Sequence, residues 1–478
     1  MIELMKDLPP CLCRACLCIV ASVFSLSVGC ARYEQKPLTT QAVEQSLSVP
    51  DAVTIRESAA NLKHPLLPPV QIDLQKPLSP DQVAVLAVIV NPSLRAERDR
   101  RAVSQAQLLQ AGLLPNPQII GGIDQPVGGP DHFTAYNIGV NWDITSLIGR
   151  DERREAAALN AASVELDIAW TEWQIAQAAK SAAYDVIALT DELQQLRAIE
   201  NQMAANRDLL RRAVEANQKT LTDLAAAEAG AGDAHEAFVT AQGDLRRAQI
   251  ALNRAIGLPS DAKLTIRSDG IPQQLSPPDP HQLLVDLESR RLDLVALRKG
   301  YESQDATLRE AVLKQFPKIN LGFNTARDTS NVRTIGFGVS VDIPIFDRNQ
   351  GAIATESATR QKLFDEYASR VFETRNDVTA AVANIESLNA QIAAAQASLP
   401  SLESMSRTYQ QAMKQGDVDA LSLYAAQNAL LQKRVDVAKL KQQLMQNWAA
   451  LEIAAGQTLP LNSATTRPTT IPSSEPRQ

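Results

Sequence analysis

Residues 317–347 read PKINLGFNTARDTSNVRTIGFGVSVDIPIFD, and their alternation decides the fold. Ile319, Leu321 and Phe323, then Ile335, Phe337, Val339, Val341, Ile343 and Ile345 are apolar at every second position, with Gly336, Gly338, Ser340 and Asp342 between them. One apolar face and one small or polar face, broken by a polar stretch, is the pattern of a β-hairpin. An earlier segment, 117–144, repeats it less regularly: Ile119, Gly121 and Ile123, then Ile138, Val140, Trp142 and Ile144 against Asn137, Gly139, Asn141 and Asp143. Four strands of about ten residues result, the length a tilted strand needs to cross an outer membrane. Hairpins packed on the chain's own helices would show the same alternation. Four strands, however, leave open edges, which several copies of the chain would remove by closing one barrel.

The two hairpins belong to a duplication. The segment from about Asn91 to Gly257 returns at an offset of 198 to 200 residues as Arg291 to Gly456. Leu94, Ala96 and Arg98 recur as Leu294, Ala296 and Arg298, Pro117 as Pro317, and Gly257 as Gly456. A repeat of this size is a whole supersecondary unit, unlike the shorter period of solenoids or propellers.

Each hairpin is preceded by a helical pattern, one beginning near Asp81 with Ser79 or Asp81 as cap, the other running from Pro280 to about Gln315. Each is followed by a much longer one. No proline occurs between Asp131 and Leu258, and only Pro400 between Phe346 and Leu459. Steps of seven mark the packing seams: Leu189, Leu196, Met203 and Leu210; Ile385, Ile392 and Leu399; Leu224, Phe238, Leu245 and Leu252 with their counterparts Leu423, Val437, Leu444 and Leu451. Heptads over a helix of about 100 Å indicate antiparallel coiled-coil pairing. Abundant alanine allows close neighbours on more than one face. Gly230-Ala231-Gly232 is expected to mark a helix irregularity.

All five cysteines, Cys11, Cys13, Cys16, Cys18 and Cys30, lie in the first 30 residues and none follows, which excludes a disulfide framework in the mature chain. Lys6 and Arg14 stand before an apolar run from Cys16 to Val28, the length of a signal-peptide core and too short to span a bilayer. Leu26-Ser27-Val28-Gly29-Cys30 resembles a bacterial lipobox, with Ser27 three residues before the cysteine and Leu26 one step further back. That resemblance implies lipidation of Cys30, and Ala31, which is not aspartate, favours the outer membrane; an ordinary signal peptide cut nearby is the alternative. Net charge is −7, so nucleic acid is not an expected partner.

The order and spacing of these features resemble the TolC-like outer-membrane efflux family over nearly all of the mature chain. Asn91-Pro92-Ser93-Leu94 and Arg291-Leu292-Asp293-Leu294 look like the openings of the two halves, with Leu292 where the family has proline. Phe316-Pro317-Lys318-Ile319 resembles the helix-to-strand junction, and Ile343-Pro344-Ile345-Phe346-Asp347 the strand-to-helix exit. Thr222-Asp223-Leu224 and Gly416 with Leu421 look like the two helical tips. The resemblance implies a fold that is mainly α with a small β part: long antiparallel coiled-coil helices forming a periplasmic α-barrel, and four strands per chain in a trimeric transmembrane β-barrel. It implies a passive exit duct for a tripartite efflux pump or type I secretion system. Its partners would be two further copies, a periplasmic adaptor, an inner-membrane transporter and outer-membrane lipid.

The expected organisation is a signal peptide (1–29), a lipid-anchored extended segment (30–80), a first repeat (81–259; hairpin 117–144, long helix pair 150–257), a linker (260–280), a second repeat (281–457; hairpin 317–345, long helix pair 348–456) and a disordered tail (458–478). Asp223, Asp417 and Asp419, with Gly416, are candidates for an acidic constriction at the periplasmic tips; solvated turn formers would have the same composition. Phe133, Tyr136, Trp142, Phe323 and Phe337 are candidates for an interfacial belt, and Trp170 and Trp173 for packing between rods. His64, His132, His235 and His281 are scattered, without metal-ligand spacing. Phosphate-loop, serine-hydrolase and zinc-protease signatures do not occur. No metal, cofactor or catalytic residue is therefore expected, and the chain is not read as an enzyme. A periplasmic coiled-coil adaptor or structural lipoprotein is the rival reading; two hairpins, each followed by a pair of heptad helices, distinguish the channel.

Overall fold

The computed structural model describes residues 32–267, 275–415 and 417–461, apart from the side chains of 414 and 420. Cys30, Gly416 and most of the expected tail lie outside them. The chain divides into two units, Met1–Val49 and Pro50–Gln478. The described part of the first contains one helix, α1 (Thr40–Leu47), started by the Thr39 hydroxyl, which accepts from the Ala42 amide.

In the second unit the order is α2 (Ala52–Ala60), α3 (Pro80–Val90), α4 (Ser93–Gly112), β1 (Gln118–Asp124), β2 (Ala135–Asp143), α5 (Thr145–Ile148), α6 (Arg150–Glu215), α7 (Leu221–Ile256), α8 (Pro280–Leu284), α9 (Leu287–Arg290), α10 (Leu292–Leu313), β3 (Lys318–Arg327), β4 (Arg333–Asp342), α11 (Gln350–Gln415) and α12 (Ala420–Ala455). The duplication is metrical: α6 and α11 have 66 residues each, α7 and α12 have 36 each. The long helices are therefore about 100 Å in length.

Two expectations need correction. The segment read as extended up to Pro80 contains α1 and α2; in α2, Ile55 and Ala59 are one helical turn apart and both buried. Their short apolar spacing was masked by the surrounding prolines. The helix expected to run from Pro280 to Gln315 is split into α8, α9 and α10, because Asp286 takes a left-handed φ of 54° and Arg291 an extended conformation.

Arg291 explains the second break. Its guanidinium lies 4.6 Å over the Trp170 ring, holds both carboxylate oxygens of Asp293 at 2.8 and 2.6 Å, and donates to Ala454 O. Gly456, with φ 63°, makes room for it: a Cβ there would sit 2.6 Å from Arg291 Cγ. The first repeat uses the same device, Asn91 and Pro92 packing on Gly257, whose φ is 91°. Each repeat's opening motif thus rests on its own closing glycine.

Laterally, α7 packs on α6, α6 on α12 and α12 on α11, while α3, α4 and α10 pack along α6. The heptad seam of α12 is deeply buried at Leu423, Leu444 and Leu451, whereas Leu224, Phe238 and Leu245 of α7 are half-buried. The difference follows from position: α12 has long neighbours on both sides, and α7 stands at the edge. The largest core, between α6, α11 and α12, includes Tyr184, Val378, Ile385, Trp448 and Leu451.

The four strands form one antiparallel sheet in the order β1-β2-β3-β4. Strand β1 is shorter than expected and stops before Gln125-Pro126, where the proline lacks an amide for the ladder.

Candidate functional site

Register assigns every strand residue to a face. Ile119 opposes Val140, Val140 opposes Phe323, and Phe323 opposes Phe337; the next rungs on that face are Trp142–Leu321–Val339 and Ile138–Thr325–Ile335. These side chains are exposed, Ile335 at 77% and Phe337 at 70%. The other face alternates glycine and asparagine: Asn141–Gly322–Gly338 and Gly139–Asn324–Gly336. The glycines are notches for the amides, since a Cβ on Gly322 would lie 2.5 Å from Asn141 Oδ1 and one on Gly336 2.5 Å from Asn324 Oδ1. Among the described residues β1 and β4 have one neighbour each, so both outer edges of the sheet are unpaired. A contiguous apolar face of this extent is unusual in water and suits lipid on one side with solvent on the other.

The expected aromatic belt is only partly correct. Tyr136 and Phe133 lie toward the hairpin-turn end, and Trp142 lies at the helical end, donating to Pro115 O at 2.8 Å. Phe323 and Phe337 are mid-strand, so they belong to the middle of the apolar band. Alternation fixes the face of a residue but not its height.

At the far ends of the helix pairs, α6 closes on Asn217, left-handed at φ 56°, with the Gln218 amide donating to Ala213 O at 2.7 Å. Asparagine tolerates this conformation, which is how the first tip turns without a glycine. Thr220 and Asp223 form a capping box for α7: the Asp223 amide donates to Thr220 Oγ1, and the Thr220 amide and hydroxyl donate to Asp223 Oδ2. Asp419 caps α12 by accepting from the Ser422 amide at 2.7 Å. That bond holds the Asp419 carboxyl below its usual range, while the Asp223 charge opposes the shift. Asp417 is exposed, its amide donating to Ala412 O.

A connection the sequence did not reveal joins the two hairpins behind the tips. The Tyr424 hydroxyl on α12 donates to Asp233 on α7. Gly230 is the notch that admits the Tyr424 ring, since a Cβ there would overlap it, while Gly232 is open. The glycine pair expected to disturb α7 therefore leaves the helix continuous. This hydrogen bond raises the Tyr424 pKa to about 12, keeping the hydroxyl a donor at physiological pH. Beside it a groove of 700 Å³ runs between α6, α7 and α12, lined by Glu192, Asp233, Glu236 and Asp244 with Lys439. Burial raises the Glu192 pKa, Lys439 opposing and Asp244 adding to the shift.

Closer to the sheet, Lys180 of α6 bridges the repeats. Its Nζ lies 2.9 Å from Glu452 Oε2 on α12 and 2.9 Å from Asp81 Oδ1, and Glu452 also accepts the Leu459 amide. Burial penalises the ammonium, but the Glu452 and Asp81 carboxylates outweigh it and hold Lys180 above its ordinary pKa. His64 is buried against α6: Nε2 lies 3.0 Å from Ala169 O, and Nδ1 accepts from the Leu66 and Leu67 amides. Among the described residues there is no group of three or more His, Cys, Asp or Glu that could hold a metal, and no helix long and apolar enough to cross a membrane.

A sheet with one lipid-compatible face and two unpaired edges, carried on paired helices of about 100 Å, defines a class: the wall subunit of an outer-membrane channel. Residues 283–457 match the outer membrane efflux protein family model. The chain is 25% identical over 367 residues to the cobalt-zinc-cadmium resistance protein CzcC of Cupriavidus metallidurans, covering 75% of this chain and 85% of that one. It is 28% identical over 230 residues to the cation efflux system protein CusC of Escherichia coli, 45% of this chain and 49% of that one. A crystal structure of CusC superposes with a TM-score of 0.67 at 18% identity, covering 86% of this chain and 99% of that chain. The chain is thus similar to the outer membrane efflux protein family through its second repeat and to efflux-system relatives over most of its length. It is an outer-membrane efflux channel protein of the kind that serves tripartite pumps, and the family works as trimers with an adaptor and an inner-membrane transporter.

Proposed function

We propose that three copies of this chain, anchored by lipid on Cys30, form the passive exit duct of a pump that expels metal cations. The reading is carried by the sheet: its β1 and β4 edges are free, its apolar face is exposed, and its other face is lined by glycine and asparagine. Joining β4 of one copy to β1 of the next gives twelve strands with no edge, a size that leaves room for solvent inside. Energy then comes from the partner transporter, since the duct itself needs only a continuous aqueous path.

Cations are favoured as cargo because one relative is by name a cobalt-zinc-cadmium resistance protein and another a cation efflux system protein, and because acidic side chains line the groove behind the tips. Asp223, Asp417 and Asp419 would add negative charge at the entrance, two of them doubling as helix caps. The Tyr424–Asp233 hydrogen bond would hold neighbouring hairpins together and keep the entrance narrow until an adaptor engages it. A strain lacking the chain should become sensitive to cobalt, zinc or cadmium, and Cys30→Ala should leave the protein without its anchor. Unaltered metal tolerance with impaired export of an organic compound or a polypeptide would overturn the cargo assignment.

A further inference from the structure

The apolar face of the sheet ends in charge at one end only. On β3 it runs Ile319, Leu321, Phe323, Thr325 and Arg327, and on β4 Val341, Val339, Phe337, Ile335 and Arg333, the last of each being direct partners. Like charges opposite one another destabilise a ladder, and this pair lies on the face the membrane reading gives to lipid. The Arg327 guanidinium stacks 5.3 Å over Tyr136 and donates through Nε and Nη2 to Thr134 O, which leaves Nη1 unengaged. Arg333 is exposed, and its guanidinium has no hydrogen-bond or ion-pair partner among the described residues.

Nearby acids do not neutralise the pair directly. Asp328 accepts the Ser330 and Val332 amides within the turn, and Asp131 accepts the Thr329 and Ser330 hydroxyls. Height places the arginines at a membrane surface. Eight residue steps separate Ile319 from Arg327, about 27 Å along the strand and about 21 Å along the normal at a tilt of ~40°, close to the ~25 Å apolar band of such barrels. This end carries the hairpin turns, so it faces outward; at the helical end the same face closes on the apolar pair Ile319 and Val341. A guanidinium pair that closes only the outer end of the lipid-facing surface matches a bilayer whose outer leaflet alone is a phosphorylated glycolipid.

We propose that Arg327 and Arg333 form a binding site for the phosphate groups of that outer-leaflet glycolipid, with one phosphate bridging the two guanidinium groups. The site rests on the outer-membrane reading above. Arginine suits it because its planar fork takes phosphate oxygens in pairs, and the bridging anion turns the repulsive rung into an attractive one.

The test uses the purified full-length protein in detergent, with diphosphoryl lipid A, dephosphorylated lipid A and inorganic phosphate as separate probes in native mass spectrometry. Diphosphoryl lipid A should bind at least tenfold tighter than the dephosphorylated form. Arg333→Gln should lose about tenfold, the value of one charge-assisted hydrogen bond, and Arg327→Gln with Arg333→Gln should abolish the preference. Arg348→Gln, an exposed change at the helical end, should leave it intact. Equal affinity for both lipids, or millimolar inorganic phosphate displacing the lipid completely, overturns the proposal. Single-channel recordings on the same preparations separate the readings: protein that conducts but shows no phosphate preference removes this site alone, and protein that never conducts removes the membrane reading with it.

Discussion

Replacing Tyr424 by phenylalanine removes one oxygen and nothing else from the link between α12 and α7. The ring keeps its place in the Gly230 notch, so packing is preserved and assembly should be normal. What is lost is a hydrogen bond to a charged acceptor whose residue is exposed; solvent screening brings it down to the value of an ordinary hydrogen bond, about 1 kcal/mol. Three copies in a trimer make about 3 kcal/mol, a shift of roughly 150-fold between closed and open entrances. Single-channel recording in planar bilayers reads this directly as a rise in open time or conductance, with thermal stability within about 0.5 kcal/mol of wild type. Gly230→Ala, which drives the ring out as well, should open the entrance further. If Tyr424→Phe recorded like the wild type, the hydrogen bond would be packing detail and the entrance would be held by something else.

Three further outcomes follow from the geometry. Lys180→Met strands the fully buried Glu452 carboxylate and should cost about 3–5 kcal/mol, most of it recovered in the Lys180→Met, Glu452→Leu double variant; calorimetry showing the double as unstable as the single would contradict the pairing. Burial lowers the His64 pKa below its ordinary 6.5, so the folded chain favours the neutral ring: its contribution is complete above about pH 6.5 and declines as pH falls from there through the folded value. Melting curves of His64→Asn should lose that acid-side slope, and an unchanged slope would assign it to another group. Phe337→Lys, at mid-height on the apolar face, should cost about 2–4 kcal/mol in lipid, whereas Gly338→Lys on the opposite face should be tolerated in urea titrations of the reconstituted protein; reversed sensitivities would exchange lipid and lumen faces.

Periodicity made the architecture legible. Strand faces follow from a period of two and seams from steps of seven, because both report which side of an element must be covered, and the matching 66- and 36-residue helices follow from the duplication. What depends on three-dimensional proximity was not legible. Tyr424 and Asp233 are 191 positions apart on different hairpins, and nothing local announces their meeting except Gly230, a small residue in a long helix where a bulky neighbour could enter. Lys180 and Glu452 likewise sit 272 positions apart. The capping role of Asp223 could have been read from Thr220, three residues earlier, as a capping box. Helix α2 was hidden because two buried residues are too short a signal against a proline-rich background.

The central claim is that copies of this chain complete a pore that one copy cannot enclose. Reconstitution of the purified protein into a planar lipid bilayer, with its mass determined in the same detergent, tests it most directly. A trimer giving large, discrete, ohmic conductance steps is the expected result. A monodisperse monomer that inserts without passing current would contradict it.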